Sequence, residues 1–343
     1  MGTTSSNLSW KGTTRLRTRK LGSTGLEVSE IGFGAWGIGG PADGSPAYGP
    51  TDDSESKKAL RKAYDLGITF YDTSDLYGYG HSERLIGETL GDVRSDVVIA
   101  TKVGLLDIND TADFSSAHIR KSLEGSLQRL NTDYVDLYQL HSPSMEIFEG
   151  NDDVLGTLET LKQEGKIRAY AISLRSPEDC VAAVERLGFK CIQVNFNLVD
   201  QRALTMGLFD LCQRENVGII ARTPLCFGFL AGVHETTSTF DAGDHRSRWS
   251  AGQVERWAGS LELFTAVTDS GPNEVDQTSA QFSLRFCLSY PSVSSVIPGM
   301  LLTSEVEENA AASAMVPMSA AELSRIEHIY RDNTFFVRES TVS

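Results

Sequence analysis

Eight short apolar runs, each followed by a stretch of helical spacing, constrain this chain more than any other feature. The runs are IGFGAW (31–36), ITFYD (68–72), VVIATK (97–102), YVDLYQL (134–140), IRAYAIS (167–173), CIQVNF (191–196), GIIAR (218–222) and SVSSVIP (292–298). Between them lie amphipathic segments such as SKKALRKAYDLG, ERLIGETLG, HIRKSLEGSLQRL, VLGTLETLKQEG, EDCVAAVERLG, LFDLCQREN and SAQFSLRFCLSY. Strands apolar on both faces belong in a parallel sheet covered on both sides. Eight β/α repeats therefore point to a (β/α)8 TIM barrel, with a doubly wound sheet as the competing architecture. Residues 15–29, RLRTRKLGSTGLEVS, place Gly22 and Gly25 between two extended runs and predict an N-terminal β-hairpin closing the barrel floor. An extra C-terminal helix is expected from Ser319, where S-A-A-E forms a capping box. The helix after Ser176 has a capping hydroxyl, Pro177 at its first position, and Glu178 and Asp179 at its positive end.

The expected layout is a flexible polar tail over 1–14, a single barrel domain over 15–335 and a C-terminal tail over 336–343. Two loops are long: 37–53 after the first strand and 232–257 after the seventh, both on the face where such barrels carry their sites.

Charge and cysteine content narrow the function classes. A formal net charge of −15 with no Lys/Arg stripe excludes a nucleic-acid partner. No apolar run reaches the ~18 residues of a spanning helix, so no membrane partner is expected. The first residues lack the apolar core of a signal peptide. Gly2 and Ser6 fit the loose myristoylation pattern, a weak match. Five cysteines, widely spaced and without a CxxC pair, predict neither disulfides nor a metal site, and a cytoplasmic location is the default.

Three consecutive strands end in ionisable groups: Asp72 with Tyr77 just beyond, Lys102, and His141. In a barrel these positions share one rim. A lysine ending an apolar run needs a partner, and Asp72 on the neighbouring strand is the natural one. An ammonium beside a phenol favours the phenolate and makes Tyr77 a better acid, because an efficient catalytic acid has a pKa near working pH. Asp72 would keep Lys102 charged and aimed, and His141 would donate to a carbonyl oxygen as charge develops. Taken singly, Asp72 reads as a helix cap, Tyr77 as loop packing, Lys102 as a solvated strand end and His141 as a rim histidine. At one rim in matching roles, they suit carbonyl reduction.

The same residues carry a family resemblance. ITFYDTSDLYGYGHSERLIGETL, with KLGSTGLEVSEIGFGAW, VVIATKVG, YVDLYQLHSP, GKIRAYAIS, CIQVNFNLVD and RTPLCFGFLAG in order, resembles the aldo-keto reductases over about residues 15–313. The resemblance implies a (β/α)8 barrel that binds NAD(P)(H) without a Rossmann domain, with Asp72, Tyr77, Lys102 and His141 as its catalytic tetrad. It implies an oxidoreductase taking an aldehyde or ketone, with a sugar or sugar-derivative carbonyl among the candidates, to the alcohol. The GxGxxG of Gly32–Gly37 is a decoy, since a dinucleotide fingerprint needs a helix opening at that turn and IGGPADGSPAYGP is not helical.

By the same resemblance Gly34, Ala35 and Trp36 run past the nicotinamide ribose, Trp36 also lining the substrate pocket. Ser173 and Gln193 hold the carboxamide, although Leu174 stands where an Asn is usual. Arg222 replaces a stacking aromatic, and Thr223, Pro224, Leu225, Gly228 and Leu230 belong to the segment under the pyrophosphate. At the adenine end the match gives Gly299, Glu305, Glu308 and Asn309. A carboxylate at Glu305 would accept from ribose hydroxyls and repel a 2′-phosphate, so family habit points to NADP(H) and these residues to NAD(H). Arg246 and Arg248 could supply charge by folding over the cofactor, or could lie in a solvated loop.

Two other readings compete with this one. A cofactor-binding regulatory module resembling potassium-channel β-subunits would dock a membrane partner, which no feature here indicates. A barrel hydrolase would need paired carboxylates, and Asp72 and Asp75 are the only close pair at that rim. Trp36, Arg175, Arg222 and Arg338 hint at a polar or anionic small-molecule substrate; monomer and homo-oligomer are both open.

Overall fold

The computed structural model describes residues 16–41, 47–107, 111–150, 153–267 and 277–337. Gly2, Ser6, Arg338 and the tail expected over 1–14 lie outside them. The chain opens with an antiparallel hairpin, β1 (Thr18–Lys20) and β2 (Glu27–Ser29). Eight parallel strands follow: β3 (Phe33–Gly34), β4 (Phe70–Asp72), β5 (Val98–Val103), β6 (Val135–His141), β7 (Ile167–Ser173), β8 (Cys191–Asn195), β9 (Gly218–Arg222) and β10 (Val293–Ile297). Each pairs with its sequence neighbour, and bridges Ile31–Val296 and Gly34–Gly299 join the first strand to the last, so the sheet is a nearly closed barrel.

The helices are α1 (Asp53–Asp65), α2 (His81–Leu90), α3 (Ser116–Leu130), α4 (Val154–Gln163), α5 (Pro177–Glu185), α6 (Arg202–Thr205), α7 (Leu208–Arg214), α8 (Ala251–Thr265), α9 (Ser279–Leu288), α10 (Thr303–Ala311) and α11 (Ala320–Asp332). Ser176 accepts from the Asp179 N–H to start α5, and Ser319 with Glu322 closes the capping box of α11.

Two expected boundaries move. The first strand is two residues long rather than 31–36, because its glycine-rich flanks pair only through single bridges. The loop expected over 232–257 ends early: Ser250 accepts from the Gln253 N–H, and residues from Ala251 onward are helical. Gln253 then clasps the end of the described chain, donating to the Phe335 carbonyl and accepting from the Val337 N–H, both at 2.8 Å.

The strands divide the core in two. One apolar set lies between sheet and helices. The other fills the barrel and includes Phe70, Val98, Ala100, Leu137, Ala169, Ala171, Cys191, Ile220 and Ile297, together with Leu21, Leu26 and Val28 from the hairpin. A strand side chain alternates faces with period two. The same inner stripe that begins Val98, Ala100 therefore continues to Lys102; Leu137 leads to Gln139 and His141; Ala169 and Ala171 lead to Ser173; Cys191 leads to Gln193. The interior is apolar at the floor and polar at the C-terminal mouth.

Hairpin and floor meet backbone to backbone at Gly22 and Gly218. Gly22 has φ 54°, and a Cβ there would lie 2.2 Å from the Gly218 nitrogen and 2.6 Å from the Lys190 carbonyl oxygen. Both the left-handed backbone and the contact require glycine. Gly22→Ala should lower unfolding stability by roughly 2–4 kcal/mol in urea titrations. A midpoint equal to the parent's would show that the hairpin does not seal the floor in solution.

Candidate active site

Consecutive strands aim polar side chains into the mouth. Asp72 is the last residue of β4, Lys102 sits on β5, Gln139 and His141 on β6, Ser173 on β7 and Gln193 on β8; register pairs Lys102 with Gln139 and His141 with Ser173. Lys102 is fully buried, and its ammonium donates to the Asp72 carboxylate, to the Thr73 carbonyl at 2.8 Å and to the Tyr77 hydroxyl oxygen at 3.0 Å. Burial alone would push the lysine down, but Asp72 and Tyr77 outweigh it and hold Lys102 above its usual value. The second Asp72 oxygen accepts from the Gln139 and Gln193 amides, each at 2.8 Å. Ser173 donates to the Gln193 carbonyl oxygen at 3.2 Å.

His141 stands edge-on to Tyr77, with ring centroids 6.0 Å apart. Burial, then the charges of Lys102, Arg222 and Arg175, hold its pKa well below the usual histidine value, so the ring is neutral. Burial likewise lowers Arg222, whose Nη2 donates to the Leu174 carbonyl at 3.3 Å. Its Nε is buried without a protein partner among the described residues.

The four tetrad residues expected from sequence thus converge. Asp72 and Asp75 do not form a carboxylate pair: Asp72 faces the barrel interior, whereas Asp75 accepts from Ser74 and from Ser122 on α3. Gly34, Ala35 and Trp36 lie at the same mouth. The Ala35 N–H donates to the Asp72 carbonyl at 2.9 Å, and a Cβ on Gly34 would meet the Ile297 carbonyl oxygen at 2.7 Å. That close approach accounts for a glycine inside the GxGxxG string. A 3-10 turn, Gly37–Gly39, follows Trp36, and the first α-helix among the described residues begins at Asp53.

Beyond Arg222 the chain turns through left-handed residues at Thr223 (φ 53°), Cys226 (44°), Phe227 (59°) and Gly228 (97°), with Pro224, Leu225 and Leu230 in the same loop. Such backbone is costly outside glycine and clusters at functional sites. At the far end, Glu305 is committed locally: its Oε2 accepts from the Leu301 and Leu302 N–H groups at 2.6 and 3.0 Å. Glu308 and Asn309 do not start a helix, since α10 begins at Thr303, and Asn309 is buried.

The two long loops meet over the mouth. Ala47 and Asp244 form a parallel bridge, and the His245 N–H donates to the Ala47 carbonyl at 2.8 Å. Trp36 is held edge-on between Tyr48 and His245, with centroids at 4.6 and 4.7 Å. Arg246 is neither solvated nor free: it pairs with Asp244 at 2.6 Å and lies over the rings of Tyr48 and Phe240. Tyr48, Gln139, Ser74 and His245 were missed in the sequence. Gln139 had a signal, since it shares the inner stripe with His141; Tyr48 and His245 had none.

Burial and the Glu83 carboxylate push Asp75 up to about 6, against hydrogen bonds from Ser122 and Ser74 and the charge of Arg129. A carboxyl whose folded pKa exceeds its unfolded value opposes folding once ionised. The penalty is absent below pH ~4, where both states are protonated, and grows as pH rises through about 6. Asp75→Asn should therefore melt higher than the parent at pH 8, with the gap closing by pH 4. Equal gaps at both pH values would contradict the raised pKa.

The model described as the aldo/keto reductase family matches residues 30–331. An uncharacterized oxidoreductase of Bacillus subtilis is 29% identical, covering 91% of this chain and 96% of that protein. An L-galactose dehydrogenase of Arabidopsis thaliana is 30% identical over 92% of this chain and 95% of its own. An aldo-keto reductase of Schizosaccharomyces pombe whose name specifies NADP(+) is 32% identical over 85% of each chain. Among solved structures, the holo form of an aldo-keto reductase from Bacillus halodurans superposes with a TM-score of 0.73 at 28% identity, covering 95% of this chain and 99% of that one.

Proposed function

The chain belongs to the aldo/keto reductase family, and on that premise we propose that it uses a nicotinamide cofactor to reduce an aldehyde or ketone to the alcohol. The observation that carries this reading is the single buried ammonium of Lys102 bridging the Asp72 carboxylate and the Tyr77 hydroxyl. A bound nicotinamide supplies the hydride for the carbonyl carbon. Tyr77 delivers the proton to the carbonyl oxygen, and Lys102 stabilises the negative charge left on the phenol oxygen. Asp72 keeps that ammonium charged and aimed. His141, neutral, donates a hydrogen bond that orients the carbonyl oxygen and shares its growing charge.

The residues present fit the cofactor. Arg222 has a buried Nε with no protein partner among the described residues, and Ser173 and Gln193 bond to each other on the neighbouring strands. We assign Gly34, Ala35, Trp36, Ser173, Gln193 and Arg222 to the nicotinamide end. Thr223, Pro224, Leu225, Gly228 and Leu230 would pass under the pyrophosphate, and Gly299, Glu305, Glu308 and Asn309 would lie at the adenosine. With Glu305 already bound to two backbone N–H groups, discrimination between NADP(H) and NAD(H) falls to the loop around Gly299, where a Cβ would meet nothing within 4 Å. Arg175 and Arg222, whose charges both act on His141, favour a polar carbonyl substrate such as a sugar derivative. The regulatory-module alternative is not favoured, since the relatives are named as oxidoreductases, reductases and a dehydrogenase.

Tyr77→Phe should lower carbonyl reduction by at least about 100-fold. Fluorescence titration of the variant with NADPH and with NADH should give affinities within about threefold of the parent's, because Tyr77 is assigned no cofactor contact. Turnover retained in the variant would sink the mechanism, and failure of the parent to bind either nucleotide would sink the cofactor assignment.

A further inference from the structure

Ser74 and Asp75 lie between Asp72 and Tyr77 in sequence, and the reaction proposed above gives them no task. Ser74 is fully buried. Its Oγ lies 3.3 Å from Nδ1 of His141 and 3.2 Å from Oδ1 of Asp75, and it accepts from the Leu76 N–H at 3.1 Å. The other Asp75 oxygen accepts from Ser122 at 2.6 Å. A hydroxyl has one proton and two lone pairs. With Leu76 on one lone pair, Ser74 can donate to Asp75 or to His141, but not to both.

The proton count then links the three residues. An ionised Asp75 can only accept, so Ser74 donates to it and accepts from an Nδ1–H of His141, which leaves Nε2 bare. A neutral Asp75 can donate to Ser74, which frees the hydroxyl proton for Nδ1 and places the ring proton on Nε2. Because the ring is held neutral, it carries one proton, and its site is a real choice. Nε2 is the nitrogen that Ser74 does not cover.

We propose that Ser74 and Asp75 are positioning residues that set the tautomer of His141, the neutral form of Asp75 placing the proton on Nε2. Resting on the reductase reading, that proton is the one donated to the substrate carbonyl oxygen; bare Nε2 would repel the developing charge. The groups that bear on Asp75 come from three neighbouring elements: Glu83 of α2, Arg129 of α3 and Tyr138 of β6. His118 and Lys121 of α3 line the surface pocket it shares. Lys102, Arg222 and Arg175 bear on His141. Burial brings Asp75 to about 6, so it changes state within the working range.

The test is 15N NMR of the imidazole nitrogens in the full-length protein between pH 5 and 8, with His141→Gln to assign the signal. In the parent the proton should pass from Nε2 to Nδ1 as pH rises. Asp75→Asn, whose amide donates to Ser74 and accepts from Ser122 as a neutral carboxyl does, should hold Nε2–H throughout. Ser74→Ala should abolish the pH response. In kinetics, kcat/KM for carbonyl reduction should fall at least about threefold more steeply between pH 5 and 8 in the parent than in Asp75→Asn. One tautomer across the range in the parent overturns the proposal, even if neither variant folds. Turnover with a fixed tautomer defeats this assignment and leaves the reductase reading standing. A switching tautomer without carbonyl turnover does the reverse.

Discussion

The buried pairing of Lys102 with Asp72 is the constraint around which the mouth of this barrel is arranged. Taking two charges out of water costs several kcal/mol each, and their attraction repays it only when every remaining lone pair and proton finds a partner. Here Asp72, Thr73 and Tyr77 take the three ammonium protons, and Gln139 and Gln193 cover the second Asp72 oxygen. Loss of either partner would leave a buried charge uncompensated, typically at about 3–5 kcal/mol. The lysine is therefore held at one place and one charge, which is what the proton donor proposed at Tyr77 would require of its neighbour.

That pairing depends on the barrel. Asp72, Lys102, Gln139 and Gln193 come from four strands, and only a closed parallel sheet brings their inner stripes to one level. Period-two alternation fills the lower interior with Val98, Ala100, Leu137, Ala169, Ala171 and Cys191, and the hairpin's Leu21, Leu26 and Val28 plug the floor. The apolar plug keeps water from reaching the ion pair from below. In this low-dielectric setting each polar contact at the mouth is strengthened, and each unpaired one is more costly.

What could be read in the sequence was local. Eight strands, the hairpin, the Ser176 and Ser319 caps, and the meeting of Asp72, Tyr77, Lys102 and His141 all follow from patterns within some ten residues or from strand ends that must share a rim. What could not be read was long-range. Nothing near Tyr48 or Trp36 announces His245, some two hundred positions away, yet the three rings pack edge to face. The bonds that Glu305 Oε2 accepts from the Leu301 and Leu302 N–H groups depend on how that turn is folded, which no local pattern announces. Arg246 looked solvated or free for the same reason. The boundary error at Ser250 was different in kind, for a capping serine was present and the aromatic residues around it masked the helical spacing.

The ring contacts between the two long loops also bear on how Trp36 is held at the mouth. Trp36 leaves β3 directly beside the Asp72 carbonyl, and its ring is fixed by one residue from each long loop. Arg246 ties those loops together through Tyr48 and Phe240 while Asp244 neutralises it. Burial, then the charge of Arg248, lowers His245 to about 4, so it is neutral at ordinary pH and packs as an aromatic ring. A charged residue at that position would have to be hydrated, and its ring contact with Trp36 would be lost. Neutral histidine avoids that cost: its backbone N–H donates to Ala47 in one loop while its ring stands edge-on to the tryptophan that leaves β3. The barrel supplies the ion pair, and the contact between the two long loops fixes the tryptophan beside the strand that carries Asp72.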